Sequence, residues 1–268
     1  MAHHYALGNS DDEIQRLEQQ HGTWRFATDA VLAAAGFCAG DRVADLGAGP
    51  GFTTDELAGR VGATGAVTAV DNDERFCDLI RSQAAENVTV ICADTATHRF
   101  PGGSFDGMFA RWLFAHMEDL TPVLETIAEA LKPGGILAVM DYLQYRSVAL
   151  MPDAHAFQSA YEKLFRIAHQ RRLGFLDVIG RLPRKLRPFG LETVWIKAFS
   201  LAGGPGSDVW EWMSRFHRQL LPMLIEQEFL TNQEVQAVQE EWERMTADPT
   251  SILVSQTVGG LVARKVTT

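Results

Sequence analysis

The stretch Val43-Ala44-Asp45-Leu46-Gly47-Ala48-Gly49-Pro50-Gly51-Phe52 limits the fold more than any other part of the chain. Residues 42–46 read as a buried strand. The residues after Gly51 read as a helix carrying Leu57 and Val61. Between them Gly47, Gly49 and Gly51 permit positive φ and let a ligand approach backbone closely. A strand, a glycine turn and a helix in that order suit an α/β sheet with a nucleotide-type ligand at the strands' carboxyl ends. The spacing is G-x-G-x-G, and Phe52 stands where a dinucleotide fingerprint needs Gly or Ala. A nicotinamide oxidoreductase is disfavoured on that ground.

The alternation continues downstream. Further strands are expected at 66–70, 88–92, 105–109 and 136–140, with helices around 74–85 and from Thr121-Pro122 onward. Lys132-Pro133-Gly134-Gly135 reads as a sharp turn before the fifth strand. Such alternation predicts a parallel sheet with right-handed crossovers. Asp71 closes the second strand, where an acid accepts from both ribose hydroxyls of either cofactor type. Asp94 closes the third strand, where a carboxylate accepts from an adenine amino group. Asp45 orders the glycine turn through backbone hydrogen bonds on the simplest reading. Upstream, Ser10 or Asp11 caps one helix carrying Ile14, Leu17 and Trp24, and a second helix is expected over 27–37.

DLGAGPG, the acid of AVDND, the acid of CADTA and LKPGG before strand five together resemble the class I S-adenosylmethionine-dependent methyltransferases, in their small-molecule subgroup. The resemblance is firm over residues 5–142 and weaker over the final strands. It implies an α/β, Rossmann-like, seven-stranded, mostly parallel sheet whose last strand is antiparallel, here with helical lid insertions. It implies S-adenosylmethionine as cofactor. Carried over by position, Gly47, Gly49 and Gly51 line the methionine and ribose, and Asp71 takes the ribose hydroxyls with Asn72 beside the adenine. Asp94 and Thr95 face the adenine edge. Arg111 sits where the family closes over the cofactor's amino acid or the acceptor, and Tyr5 and Trp24 are lid contacts. The opening YALGNSDDEIQRLEQQHGTW also resembles a segment that folds over the cofactor in that subgroup.

The regular core accounts for residues 1–142. Residues 143–190 read as a helical insertion, a substrate lid, followed by a return helix. Residues 191–268 read as the last core strands interrupted by a helical insertion at 203–250. Within the first insertion, residues 153–168 place Phe157, Tyr161, Leu164 and Ala168 on one helix face. Basic residues from Lys163 through Arg166, Arg171, Arg172 and Arg181 to Arg187 dominate 163–187, whereas 208–248 is mainly acidic. Two readings stand: solvated helix faces that pair with each other, or a basic wall for an anionic substrate. Phe157, Phe165, Trp210, Trp212 and Phe216 supply either an apolar substrate pocket or ordinary core between lid helices.

Methyl transfer from a sulfonium is an in-line displacement in which the protein positions and desolvates the acceptor. A general base helps where the acceptor is a hydroxyl or an acidic carbon. His116, after strand four, is the candidate base; a structural or solvated histidine is the alternative. Trp112, Tyr142 and Tyr145 are candidate acceptor contacts. No metal is expected: strand four is followed by Arg111-Trp112, and Asp141 alone does not make a site.

The formal net charge of −10 on 268 residues, and ARWLF in place of an amino-methylating DNA signature, argue against DNA as substrate. An RNA or protein methyltransferase remains a rival, as does a cyclase-like protein of natural-product biosynthesis that holds the cofactor without spending its methyl group. A small-molecule acceptor, such as a secondary metabolite methylated on O, N or C, is the leading expectation. No apolar run is long enough for a membrane span, and MAHHYALGNSDDE lacks the pattern of a signal peptide. Cys38, Cys77 and Cys92 show no metal spacing and suit a reducing cytoplasm. A monomer or homodimer without DNA or membrane partners is expected.

Overall fold

The computed structural model describes residues 9–171 and 174–266, without the side chains of 174 and 175. The core strands are β1 (Arg42–Leu46), β2 (Ala66–Asp71), β3 (Val88–Cys92), β4 (Phe105–Arg111), β5 (Leu131–Gln144), β7 (Leu191–Phe199) and β10 (Thr257–Lys265). They form one seven-stranded sheet in the order β3-β2-β1-β4-β5-β10-β7. The first five are parallel, and β10 runs antiparallel between β5 and β7. The sheet reverses direction of winding between β1 and β4, so the carboxyl ends of those strands open a crevice.

Helices α1 (Asp11–Ala35) and α2 (Phe52–Val61) cover one face; α4 (Thr121–Ala130) and α6 (Val178–Leu186) cover the other, and α3 (Glu74–Gln83) crosses from β2 to β3. Each helix follows from its sequence. Ser10 accepts from the Glu13 N–H at the start of α1, and Gly36 ends it at φ 72°. Asp73 caps α3 by accepting from Arg75 and Phe76 N–H groups. The insertions add α5 (His155–Gln170), α7 (Asp208–Glu226) and α8 (Asn232–Ala247). They also build a small sheet, β6 (Ala149–Met151), β9 (Ile252–Val254) and β8 (Ala202–Gly203), with no counterpart among the sequence expectations. Phe157, Trp210 and Leu224 of these helices belong to one apolar cluster with Val31, Leu57 and Phe109 of the core.

Three boundaries differ from expectation. The two N-terminal helices are one, because Thr23 to Phe26 contains no breaker and the lone Gly22 is tolerated with open space beside it. Strand β5 begins at Leu131, not Ile136. Leu131 pairs with Phe105, pairing resumes at Ile136 with Gly107, and Lys132 to Gly135 form an irregularity with Gly134 at φ 79°. The sequence pattern places the final strand at 261–266; strand β10 begins at Thr257 and contains Gly259 and Gly260, which add no hydropathy signal. A Cβ on Gly260 would lie 2.4 Å from Val31 Cγ2, so only glycine lets α1 pack this close to the sheet.

Candidate functional site

The glycine turn is held by the strand beside it. Gly47 and Ala48 N–H donate to the Val70 carbonyl at 2.8 and 3.0 Å. Gly49 N–H donates to Asp71 Oδ2 at 2.7 Å, and Asp73 N–H donates to Asp71 Oδ1 at 2.9 Å. Asp71 therefore fixes the turn to the tip of β2 while each carboxylate oxygen keeps acceptor capacity. Burial raises its pKa, and those backbone bonds oppose the rise. Asp45 is buried beneath the turn, and Thr54 Oγ1 of α2 donates to it at 2.7 Å. Its partner is thus a side-chain hydroxyl, not the backbone groups expected. Desolvation raises its pKa to about 6.

The three glycines serve different ends. Gly47 has φ 67°, and an added Cβ would meet Leu113 Cδ1 at 2.8 Å. Gly49 has φ 54°, and a Cβ there would meet no protein atom within 4 Å. Gly51 has φ 91°, and its Cβ would strike Ile80 Cγ1 of α3 at 2.8 Å. Gly51 is the N-cap of α2 and packs against α3.

A cavity of about 780 Å³ opens from this turn. At one end Gly47, Gly49, Asp71, Asn72, Asp94 and Thr95 form the wall, with Phe76 from α3. Asp94 Oδ1 accepts from Ala96 N–H at 2.8 Å, which turns the chain away and leaves Asp94 at the cavity. Arg111 and Trp112 enter from the end of β4. Arg111 Nη1 lies 3.1 Å from His21 Nδ1 and 3.2 Å from Thr28 Oγ1 of α1. Burial lowers its pKa to about 10 against the pull of Asp45 and Glu56. His21 is lowered to about 4 by burial and by Arg111 and Arg25, so a neutral imidazole faces the guanidinium. Trp112 adopts φ 49°, unusual for a bulky residue, and its ring lies 5.4 Å from the Arg111 guanidinium carbon.

The other end is walled by the insertion helices and α1. Phe216, Leu220, Met223 and Leu224 of α7 give an apolar side, joined by Leu164 of α5 and Phe229. Opposite them stand Arg16, Leu17 and Gln20 of α1, with His116, Tyr142 and Tyr145. His116 lines the cavity and is exposed, while desolvation by the surrounding protein and then the Arg16 charge push its pKa to about 4. Burial raises the Tyr142 and Tyr145 phenols, and Arg16 opposes that rise at both. Asp141 is fully buried and accepts from Ala115 N–H at 3.0 Å and Tyr142 N–H at 2.7 Å, so it fixes the turn carrying His116. Desolvation raises it to about 7.

Several expected residues sit elsewhere. Trp24 is fully buried and packs edge-on against Trp112 and Trp212, with ring centroids 6.2 and 5.6 Å apart. It supports Trp112 from behind and does not reach the cavity. Tyr5 lies outside the described residues. Of the five insertion aromatics expected there, Phe216 joins the cavity wall and Phe157, Phe165, Trp210 and Trp212 are core. The basic segment meets the acidic one at two residues. Lys163 Nζ lies 2.6 Å from Glu234, and Arg171 donates to the Gln227 carbonyl at 2.9 Å with its guanidinium over Phe229. Arg181 pairs with Asp177 at 2.6 Å, and Arg172 lies outside the described residues.

The sequence reading missed Arg16, Gln20 and the Leu220-Met223-Leu224 wall. The last three stand with Phe216 at helical spacing, so periodicity carried the signal. Arg16 gave none, since a charged residue on a helix reads as solvated.

The open space beside Gly49 and the paired acceptors of Asp71 fit the backbone-hugging ribose and amino acid of S-adenosylmethionine. Residues 43–135 match the family model described as a methyltransferase domain. The sheet order, the turn and this match over residues 43–135 are in keeping with the class I S-adenosylmethionine-dependent methyltransferases. It is similar to demethylmenaquinone methyltransferase of Staphylococcus aureus, 27% identical over 170 residues, covering 61% of this chain and 66% of that protein. The match thus spans just under two thirds of that relative. Among solved structures, Haemonchus contortus phosphoethanolamine N-methyltransferase 2, in complex with phosphomonomethylethanolamine and S-adenosylhomocysteine, superposes with a TM-score of 0.53 at 19% identity. That likeness covers 89% of this chain and 52% of the other. The [4+2]-cyclase SpnF gives a TM-score of 0.57 at 19% identity, over 90% of this chain and 80% of its own. No helix among the described residues is long and apolar enough to cross a membrane, and no group of three or more potential metal ligands occurs among them.

Proposed function

We propose that this chain transfers a methyl group to a small-molecule acceptor held between the glycine turn and α7. The observation that carries the reading is the single cavity reaching from Gly49 and Asp71 to Phe216 and Leu224. A cofactor and an acceptor of modest size share one continuous space there, as an in-line displacement requires. When bound, S-adenosylmethionine supplies a methyl group on a cationic sulfur.

In this proposal Gly47 and Gly49 run beside the methionine and ribose, and Asp71 accepts from the ribose hydroxyls. Asn72, Asp94 and Thr95 border the adenine. Arg111 faces the amino-acid end, and Tyr5 closes over it. Trp112, Tyr142 and Tyr145 contact the acceptor. Residues 143–190 and 203–250 act as its lid. His116, neutral at pH 7, accepts the acceptor's proton. A base of pKa about 4 suits an acidic proton and suits an ordinary alcohol poorly. A quinone-like acceptor is in keeping with the name of the Staphylococcus aureus relative. A monomer or homodimer in a reducing cytoplasm, without DNA or membrane partner, completes the proposal.

The test is a compound screen with S-adenosylmethionine, read by S-adenosylhomocysteine release and by one added methyl in the product mass. Release with no methylated small molecule, but with methylated RNA or protein, would overturn the acceptor class. The likeness to SpnF favours a second reading, a cyclase that keeps its cofactor intact. Conversion of a compound without S-adenosylhomocysteine release would establish that alternative.

A further inference from the structure

Helix α1 carries a feature that packing alone does not explain. Its inward stripe in the first three turns is Glu13, Arg16 and Gln20. Glu13 is 0% and Arg16 3% exposed. Arg16 Nε and Nη2 donate to the two Glu13 carboxylate oxygens at 2.7 and 2.6 Å, and Nη1 donates to Gln20 Oε1 at 2.7 Å. Gln20 is in turn fixed by Trp212 Nε1 at 3.3 Å. Burying an ion pair of this kind generally contributes less to stability than a well-packed apolar pair of the same volume. Here it lies beside the apolar α7 wall, with its guanidinium carbon over the Phe216 ring at 5.8 Å.

Arg16 and Gln20 line the cavity and Glu13 does not. Of that pair, Arg16 is therefore the member at the wall, which Arg171 and Glu118 also line. The neighbouring groups register it: the Arg16 charge adds to the lowering that burial imposes on His116 and opposes the rise that burial imposes on Tyr142 and Tyr145. A positive field beside a hydroxyl favours its anion. An acceptor with a plain apolar body would gain nothing from it, and a cationic amine would be repelled.

We propose that Arg16 determines acceptor specificity, holding the acidic hydroxyl of a phenol or enol as its anion while the acceptor's apolar body lies along Phe216, Leu220 and Leu224. This deepens the small-molecule methyltransferase reading and rests on it. Glu13 and Gln20 position the guanidinium; the apolar wall excludes water and keeps the charge unscreened.

The probe is 4-nitro-1-naphthol, an apolar bicyclic phenol whose anion absorbs in the visible. It is titrated with pH on the full chain saturated with S-adenosylhomocysteine, and 1-nitronaphthalene serves as the uncharged control. The wild type should bind the naphtholate at least about tenfold more tightly than the neutral phenol, seen as a drop of about one unit in the probe's apparent pKa. Arg16→Gln should abolish that drop and leave 1-nitronaphthalene affinity unchanged. Because Arg16→Gln strands the Glu13 carboxylate, Glu13→Gln/Arg16→Gln is measured alongside and should behave alike. An unshifted or raised probe pKa in the wild type, or a shift that survives in the double variant, overturns the assignment. Failure of the wild type to bind the probe at all overturns it too. Absence of S-adenosylhomocysteine binding, with the naphtholate shift intact, would instead remove the methyltransferase reading and leave the Arg16 site standing.

Discussion

Gly49 and Gly51 stand two residues apart in the same turn, both with positive φ, and the space around them separates their roles. At Gly49 a methyl group would enter open cavity; at Gly51 it would strike Ile80. Gly49→Ala is expected to weaken S-adenosylhomocysteine binding while costing only about 1–2 kcal/mol of left-handed backbone strain. Gly51→Ala adds the steric clash, so it should lower the melting temperature further and spare ligand affinity in the folded fraction. Isothermal titration and thermal unfolding on both variants separate the two outcomes; equal loss of affinity would show that Gly51 also faces ligand. Asp71→Ala removes the acceptor that receives the Gly49 and Asp73 N–H groups. A hydrogen bond to a charged group contributes about 1.5–3 kcal/mol, so S-adenosylhomocysteine affinity should fall about tenfold or more. At this scale the sequence was legible wherever chemistry follows from position in a turn, as at Asp71 and Gly49. It was silent at Arg16, whose burial depends on what α7 places opposite it.

At the scale of elements, the contact between α5 and α7 is built on a buried polar pair. Tyr161 Oη and His217 Nε2 lie 2.7 Å apart, and His217 Nδ1 is buried without a hydrogen-bond partner among the described residues. The His217 ring stands 4.7 Å edge-on from Trp242 of α8, so three lid helices meet here. Burial depresses the His217 pKa from 6.5 to about 3. Between those values the unfolded chain binds the proton and the folded chain does not, so stability falls as pH drops through that window. His21 and His116, each near 4, act in the same direction. Tyr161→Phe/His217→Phe removes one such group and its partner together. Denaturant unfolding at pH 7 and pH 5 should then show a loss of stability smaller by about 2 kcal/mol than in the wild type. An unchanged difference would mean that His217 is protonated in the fold. The lid helices themselves were readable from periodicity, since Phe157, Tyr161, Leu164 and Ala168 repeat at helical spacing. The β6-β9-β8 sheet was not, because its longest strands are three residues and show no alternation to detect.

On the scale of the whole molecule, core and lid share one apolar cluster and one cavity, and α1 joins them. Its amino-terminal end is tied to α3 by Asn9 on Asp73 and Arg75 on Asp11, its middle lines the cavity, and its last turns pack on the sheet. Asp71, Asp73 and Gly49 belong to one hydrogen-bonded unit, so a ligand at the turn braces the start of α1 as well as the strands. Sequence alternation exposed the five parallel strands because each repeats a strand–turn–helix rule. The closing of α1 over them was hidden, since its buried stripe there is polar. S-adenosylhomocysteine at a hundred times its Kd should contribute about 2.7 kcal/mol. For a chain of this size that corresponds to a rise of about 5 °C in melting temperature. NADH at the same concentration should give none, because the turn spacing does not offer it a site. Scanning fluorimetry with intrinsic tryptophan emission reads the effect where it matters, since Trp24, Trp112 and Trp212 meet at the junction of α1, β4 and α7. One transition displaced as a unit is the expected trace. If only part of the tryptophan signal moved with ligand, the lid would be melting on its own, and α1 would not be the element that couples it to the cofactor site.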